Sequence, residues 1–308
     1  MSKEKSMTKD ITKLMAEVES KVIQDLKKDN LNLLKKLEKS KNRKEEMVDA
    51  VYEAVSANLR TWDKPSIPKP SNLKKTKDEE IAIAVLSDIQ LAKVTPDYNS
   101  EVAEERVIAY AHKIVDIANV QRQSHPVNKV AVFAVGDIIE GELIFPGQSH
   151  LIDSSLYKQV TVDGPRIIGK FFDILLANFN EVDVHWVIGN HGHLGGRSRK
   201  DYHPDSNADR MLGNIMKMVF RDEKRIKFTI PDSTGDNHWF DIADLGKECK
   251  FLLWHGDNVR GFSGFPWYGF GKKLQGWKTL AANGLMPDFD NAIAGHFHTP
   301  TTMYLNDI

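Results

Sequence analysis

IAIAVLSDIQLAK, Ile81 to Lys93, is an apolar run that stops at an aspartate, with Gln90 two positions later. Continuous apolar residues bounded by Ser-Asp predict a buried strand rather than one face of a helix. The same shape recurs downstream. KVAVFAVGD closes on Gly136-Asp137, VDVHWVIGNH on Gly189-Asn190-His191, CKFLLWHGD on His255-Gly256-Asp257, and NAIAGHFHT on Gly295-His296-Phe297-His298. IKFTIPD and HWFDIAD add further strands. Helical patterns lie between them: Glu101 to Arg122, Tyr157 to Phe179 with Gly164 and Pro165 breaking it early, Asn207 to Phe220, and Lys272 to Asn283. This alternation predicts an α/β fold with a sheet covered on both faces and ligands at the strands' carboxyl ends.

Upstream, residues 1–60 carry a different pattern. From Asp10 to Leu59 there is no Gly or Pro, and Ile11, Met15, Val18, Val22 and Leu26, then Leu33, Leu37, Met47, Val51 and Val55, form one helical stripe. Asn30 interrupts it, as a register-setting polar residue does in a coiled coil. Two readings stand: a coiled-coil-like extension for self-association or a partner helix, or helices folded back on the rest. Residues 61–79, with three prolines among lysines, read as a linker, so the globular domain is expected over 80–308.

The 308 residues carry a formal net charge of −1, which argues against strong sequence-blind binding to polyanions. The single cysteine, Cys249, excludes a disulfide framework or a thiolate zinc site within one chain. With no apolar leader and no long apolar run, the expectation is a soluble cytoplasmic protein with no membrane partner.

Taken singly, a strand-end Asp is an ordinary turn former and a lone His an ordinary polar residue. Repeated after each strand, they place carboxylate, amide and imidazole groups on one rim. Such groups repel one another unless cations separate them, and this mixture suits Mn²⁺, Fe, Zn²⁺ or Co²⁺ better than Mg²⁺.

In this order, DIQ, GDIIEG, GNHGH, HGD and GHFH resemble the motifs of the calcineurin-like metallophosphoesterase superfamily: D-x-H, GD, GNH, H and GH-x-H. The resemblance spans Asp88 to His298. No Arg follows the GD motif, unlike the protein Ser/Thr phosphatases. SDIQLAK, GDIIEG…FPGQ and GNHGH…SNAD are similar to phage-encoded SbcD/Mre11-type nucleases. The resemblance implies a four-layer α/β/β/α sandwich and two divalent ions, Mn²⁺ first. Asp88, Gln90, Asp137 and His298 would hold one ion. Asp137 as the bridge, with Asn190, His255 and His296, would hold the other. His191 would orient the phosphate or protonate the leaving oxygen. His193 has no assigned role. Gln90 departs from the family's His: a neutral, weaker donor that implies a shift toward Mn²⁺ or Mg²⁺, with a one-metal site as the rival.

Two loops carry candidate substrate contacts: Arg197 and Arg199 after GNH, and Arg260, Trp267 and Lys272 after HGD. Interleaved cations and aromatics suit a phosphate backbone with stacked bases; alternatively the aromatics pack a hydrophobic corner. Only TPTTMYLNDI follows GHFH, so a truncated chain or a minimal module without a DNA-capping region is expected. The reading is a two-metal phosphodiester hydrolase, a DNA nuclease in repair, replication or recombination, acting in a host cytoplasm if phage-encoded. The alternatives are a phosphatase or phosphodiesterase on a phosphoprotein, nucleotide or small phosphoester, and a scaffold without turnover.

Overall fold

A computed structural model of the chain describes residues 79–195, 203, 205–231, 238–246, 249–260 and 264–305, with 67–70 and five helical positions: Gln24, Lys28, Leu31, Asn32 and Lys35. The chain divides into two compact units, Met1–Trp62 and Asp63–Ile308. The apolar stripe of residues 1–60, most of the 61–79 segment, and Arg197 and Arg199 lie outside the described residues.

The second unit is a mixed α/β fold with a parallel sheet. Its first four strands are β1 (Glu80–Leu86), β2 (Val127–Val135), β3 (Glu181–Val187) and β4 (Ile226–Thr229), all parallel and in that spatial order. β2 is buried along almost its whole length, as a strand covered on both faces must be. Helices α1 (Ser100–Gln121), α2 (Gly164–Asn178) and α3 (Ala208–Val219) make the crossovers. Asn99 and Asn207 cap α1 and α3 by accepting backbone N–H bonds through their side chains.

A second sheet holds β5 (Phe240–Asp244), β6 (Lys250–Trp254) and β7 (Asn291–Ala294), with β5 antiparallel and β7 parallel to β6. Alternate residues of the two sheets meet: Ala131, Phe133, Val135 and Val187 pack with Ala243 and Leu253. The opposite face of β2 and β3 turns toward the helices, where Trp186 is fully buried against Gly213 of α3 and donates Nε1–H to the Asp209 carbonyl. Removing a ring of that size costs about 3–5 kcal/mol. On the far side of the second sheet, α4 (Trp267–Ala282) buries Phe270, Leu274 and Trp277 against Phe240, Leu252 and Trp254.

A polar contact between strand side chains also joins the sheets. His185 of β3 lies 2.6 Å through Nδ1 from Asp241 Oδ2 of β5, and its Nε2 is 3.7 Å from Asp183. Burial lowers its proton affinity, but the two carboxylates outweigh burial and push the pKa up to about 9.

Two expectations need correction. Gly164 and Pro165 do not break a helix; they begin one. The turn Leu156–Lys158 runs through a π-helical turn, Gln159–Asp163, into α2, where Pro165 sits at the start and needs no N–H partner. Helix α4 starts at Trp267, five residues before the expected Lys272, because its aromatic first turn packs rather than loops. The face of the parallel sheet away from α1–α3 is covered by the second sheet. Among the described residues no helix is long and apolar enough to cross a membrane.

Candidate metal centre

The strand ends meet through unusual backbone. Among the described residues, the non-glycine positions with positive φ are Asp88, Gln90, Ala92, Asp137, His296 and His298. All but Ala92 are expected ligands. Left-handed backbone at such residues costs on the order of 1–3 kcal/mol each and persists where the surroundings enforce it, typically at functional sites. Glycines permit the close approach. A Cβ at Gly189 would run into the Asp137 carboxylate, and one at Gly295 into Ser87 and Asp88.

Ligand atoms of Asp137, His255 and His296 all lie within 4.8 Å of one another. His255 Nδ1 is 2.9 Å from the Val135 carbonyl, so Nδ1 carries a proton and Nε2 faces inward. There it meets Asp137 Oδ2 at 2.9 Å and Asn190 Oδ1 at 3.0 Å. Three electron-rich atoms converge, and only a cation, a proton or a metal ion, reconciles them. This donor set therefore fits a divalent ion of the imidazole-carboxylate class, with the outward N–H of His255 anchored as ligating histidines usually are. Burial disfavours charge on His255, yet Asp137 prevails and raises its pKa to about 9. The reciprocal attraction holds Asp137 below the usual carboxylate range despite burial. Burial and the charge of His255 lower His296.

His191 borders this group. Its backbone N–H donates to Asp137 Oδ1 at 2.8 Å, and its Nε2 stands 3.9 Å from Asp137 Oδ2. Its Nδ1 is 2.9 Å from the Glu140 carbonyl and 3.2 Å from Glu140 Oε2. Burial lowers the proton affinity of His191, but Glu140 and Asp137 outweigh it and raise the pKa.

Glu140 was not singled out in the sequence. It is 1 % exposed and fixed by Gln148 Nε2, which donates to both its carbonyl and its Oε1. Its place three residues after Asp137 was the only signal. Asp209 was likewise missed. Fully buried in the first turn of α3, it accepts four backbone N–H bonds: Asp137 and Gly189 at 2.9 Å, Ile138 at 3.1 Å and Ile139 at 3.3 Å. It thus ties the loops after β2 and β3 into one frame. Burial and the nearby Asp137 charge raise it to about 6, against those donors.

The Asp88 side of the rim is arranged differently. Asp88 accepts the His296 backbone N–H on both oxygens, at 3.1 and 3.0 Å, and the Ser87 hydroxyl. His298 Nε2 lies 3.3 Å from Asp88 Oδ1 and 3.3 Å from Gln90 Nε2, and its side chain is 48 % exposed. His193 pairs through its backbone with Asn207 and lines a cleft with His203, His238 and Asp257.

The expected substrate residues divide. Arg260, Trp267 and Lys272 are exposed. Trp267 contacts Phe265 at 4.6 Å, and Phe265 contacts Phe297 at 5.5 Å, between His296 and His298. Trp277 and Phe270 instead belong to the core, so much of that segment's aromatic content is structural.

Compared with models of protein families and with curated proteins, the sequence finds no match.

Proposed function

We propose that this chain is a metal-dependent phosphoester hydrolase of the calcineurin-like, four-layer type, acting on phosphodiesters, with DNA as substrate. The observation that carries this reading is the convergence of Asp137 Oδ2, His255 Nε2 and Asn190 Oδ1, with His296 completing the group. A divalent ion held there, Mn²⁺ first, would supply Lewis acidity toward a phosphoryl oxygen and make water a nucleophile near neutral pH.

The chain's own residues do the rest. Asp209 and the left-handed loops hold the ligands before substrate arrives, so little reorganisation accompanies reaction. His191, oriented through Nδ1 by Glu140, holds its other nitrogen toward the centre, where a proton on Nε2 can pass to a leaving alkoxide. Exposed Trp267, linked to the His296–His298 loop through Phe265 and Phe297, together with exposed Lys272 and Arg260, favours a stacked base and phosphates as the bound ligand.

The test is incubation with Mn²⁺ of single- and double-stranded DNA, a phosphopeptide and an aryl phosphodiester, beside Asp137→Ala and His191→Ala controls. DNA and aryl ester should be cleaved and both controls should lose activity. Trp267→Ala with Arg260→Ala should weaken DNA cleavage while sparing the aryl ester. Cleavage of the phosphopeptide alone would turn the reading to a phosphatase, and no mutation-sensitive cleavage of any substrate would leave a scaffold.

A further inference from the structure

We infer that Lys93, acting through Gln90, takes the place of the second divalent ion, so that the centre binds a single ion on Asp137, His255 and His296. The inference rests on the metal-dependent reading above and concerns the number of ions.

Lys93 Nζ donates to Gln90 Oε1 at 2.5 Å. An ammonium carries only donors, so the amide atom facing it must be the carbonyl oxygen, and this fixes which way the Gln90 amide points. Its Nε2 therefore faces His298 Nε2, 3.3 Å away. An N–H in that position meets the imidazole lone pair, the pair a metal would need. Asp88, whose Oδ1 lies 3.3 Å from His298 Nε2, accepts from the Ser87 hydroxyl and the His296 backbone N–H. Oxygen, imidazole and carboxylate on this side each already face a proton donor.

Lys93 is held in this position. Its backbone N–H donates to the Gln90 carbonyl at 3.0 Å, closing a turn in which Gln90 and Ala92 have positive φ. Bridges from Leu91 to Ile139 and from Lys93 to Ile152 pin that turn on both sides. Gln90 is 5 % exposed. The adjoining cleft, lined by Asp88, Asp97, Lys93 and Arg106, matches its two carboxylates with two side-chain cations. On the other side of the rim, Nε2 of His255 faces two acceptors, Asp137 Oδ2 and Asn190 Oδ1, with no lysine or arginine among these contacts. A permanent side-chain cation thus engages the Asp88 half, whereas the contacts of the Asp137 half come from an imidazole, an amide and a carboxylate.

The test counts ions rather than turnover. Wild-type protein is dialysed against Mn²⁺, its bound metal is measured by atomic emission, and its electron paramagnetic resonance spectrum is recorded. The Gln90→His, Lys93→Met double variant is treated in parallel. Wild type should retain one ion per chain with the hyperfine pattern of isolated Mn²⁺, and the double variant should retain two with an exchange-coupled spectrum. Two tight ions on the wild type overturn the inference while leaving the metal centre standing, as does a folded double variant that still holds one. A wild type retaining none overturns the metal-dependent reading and the inference with it.

Discussion

The Asp137 half of the rim and the Asp88 half use the same residue types at the ends of strands, yet they are finished differently. Asp137 and His255 have side chains only 1 % exposed, and the inward nitrogen of His255 faces oxygen acceptors. On the other half His298 is 48 % exposed, and Gln90 and Asp88 are engaged by Lys93, Ser87 and a backbone N–H. A carboxylate and a histidine at matching places therefore do not by themselves define a metal site. What decides is whether their lone pairs are still free once the surrounding donors are counted.

The largest expected effect breaks this comparison directly. Asp137→Asn should lower Mn²⁺ affinity by more than the ~100-fold typical of losing an outer partner. Asp88→Asn should change it by no more than about threefold, since it removes a group already satisfied by donors. Titration calorimetry on both variants gives the contrast, and equal losses would mean that the two halves act as one site. Next, Asp209→Asn keeps the shape but turns an amide N–H₂ toward backbone donors. We expect a 10- to 100-fold loss of Mn²⁺ affinity, about that of an outer-partner mutation, together with a lower midpoint in urea. A variant that loses stability but keeps affinity would make Asp209 a fold residue only.

The smallest effect lies away from both halves. The His185 pKa is raised above its unfolded value near 6.5 to about 9, so its contribution is full below about pH 6.5 and fades as pH rises through 9. Metal-saturated protein should therefore melt several degrees lower at pH 10 than at pH 6.5. His185→Gln should flatten the part of that slope due to the inter-sheet pair while leaving Mn²⁺ affinity unchanged. Thermal melts across that range check it.

The strands were legible because apolar runs closed by short polar or glycine-containing stretches are local signals, and β1, β2, β3, β6 and β7 each coincide with one. Residues that act only across long separations were not legible. Asp209 reaches Asp137 over 72 positions, and Glu140 reaches His191 over 51. Neither spacing has a period that can be read in advance. Gln90 stands out in the sequence, but its partner Lys93, one turn on, does not, because its side chain reads as an ordinary surface lysine until the left-handed backbone brings it to the amide oxygen. At α4 the mixture of glycine and aromatics looked like a loop, although Phe270 and Trp277 recur at helical spacing on the buried side.

His255 also has a mechanical consequence. It rises from β6 of the second sheet, yet its Nδ1 is tied to Val135 at the end of β2 in the first, 120 residues away, and its Nε2 to Asp137 beyond it. An ion shared by these residues would act as a rivet between the two sheets, absent from the unfolded chain. By mass action it would add about 2.7 kcal/mol of stability at roughly a hundred times its dissociation constant. The melting temperature thus becomes a gauge of occupancy, and a series of melts in different divalent salts would rank the ions this centre prefers without any substrate being known.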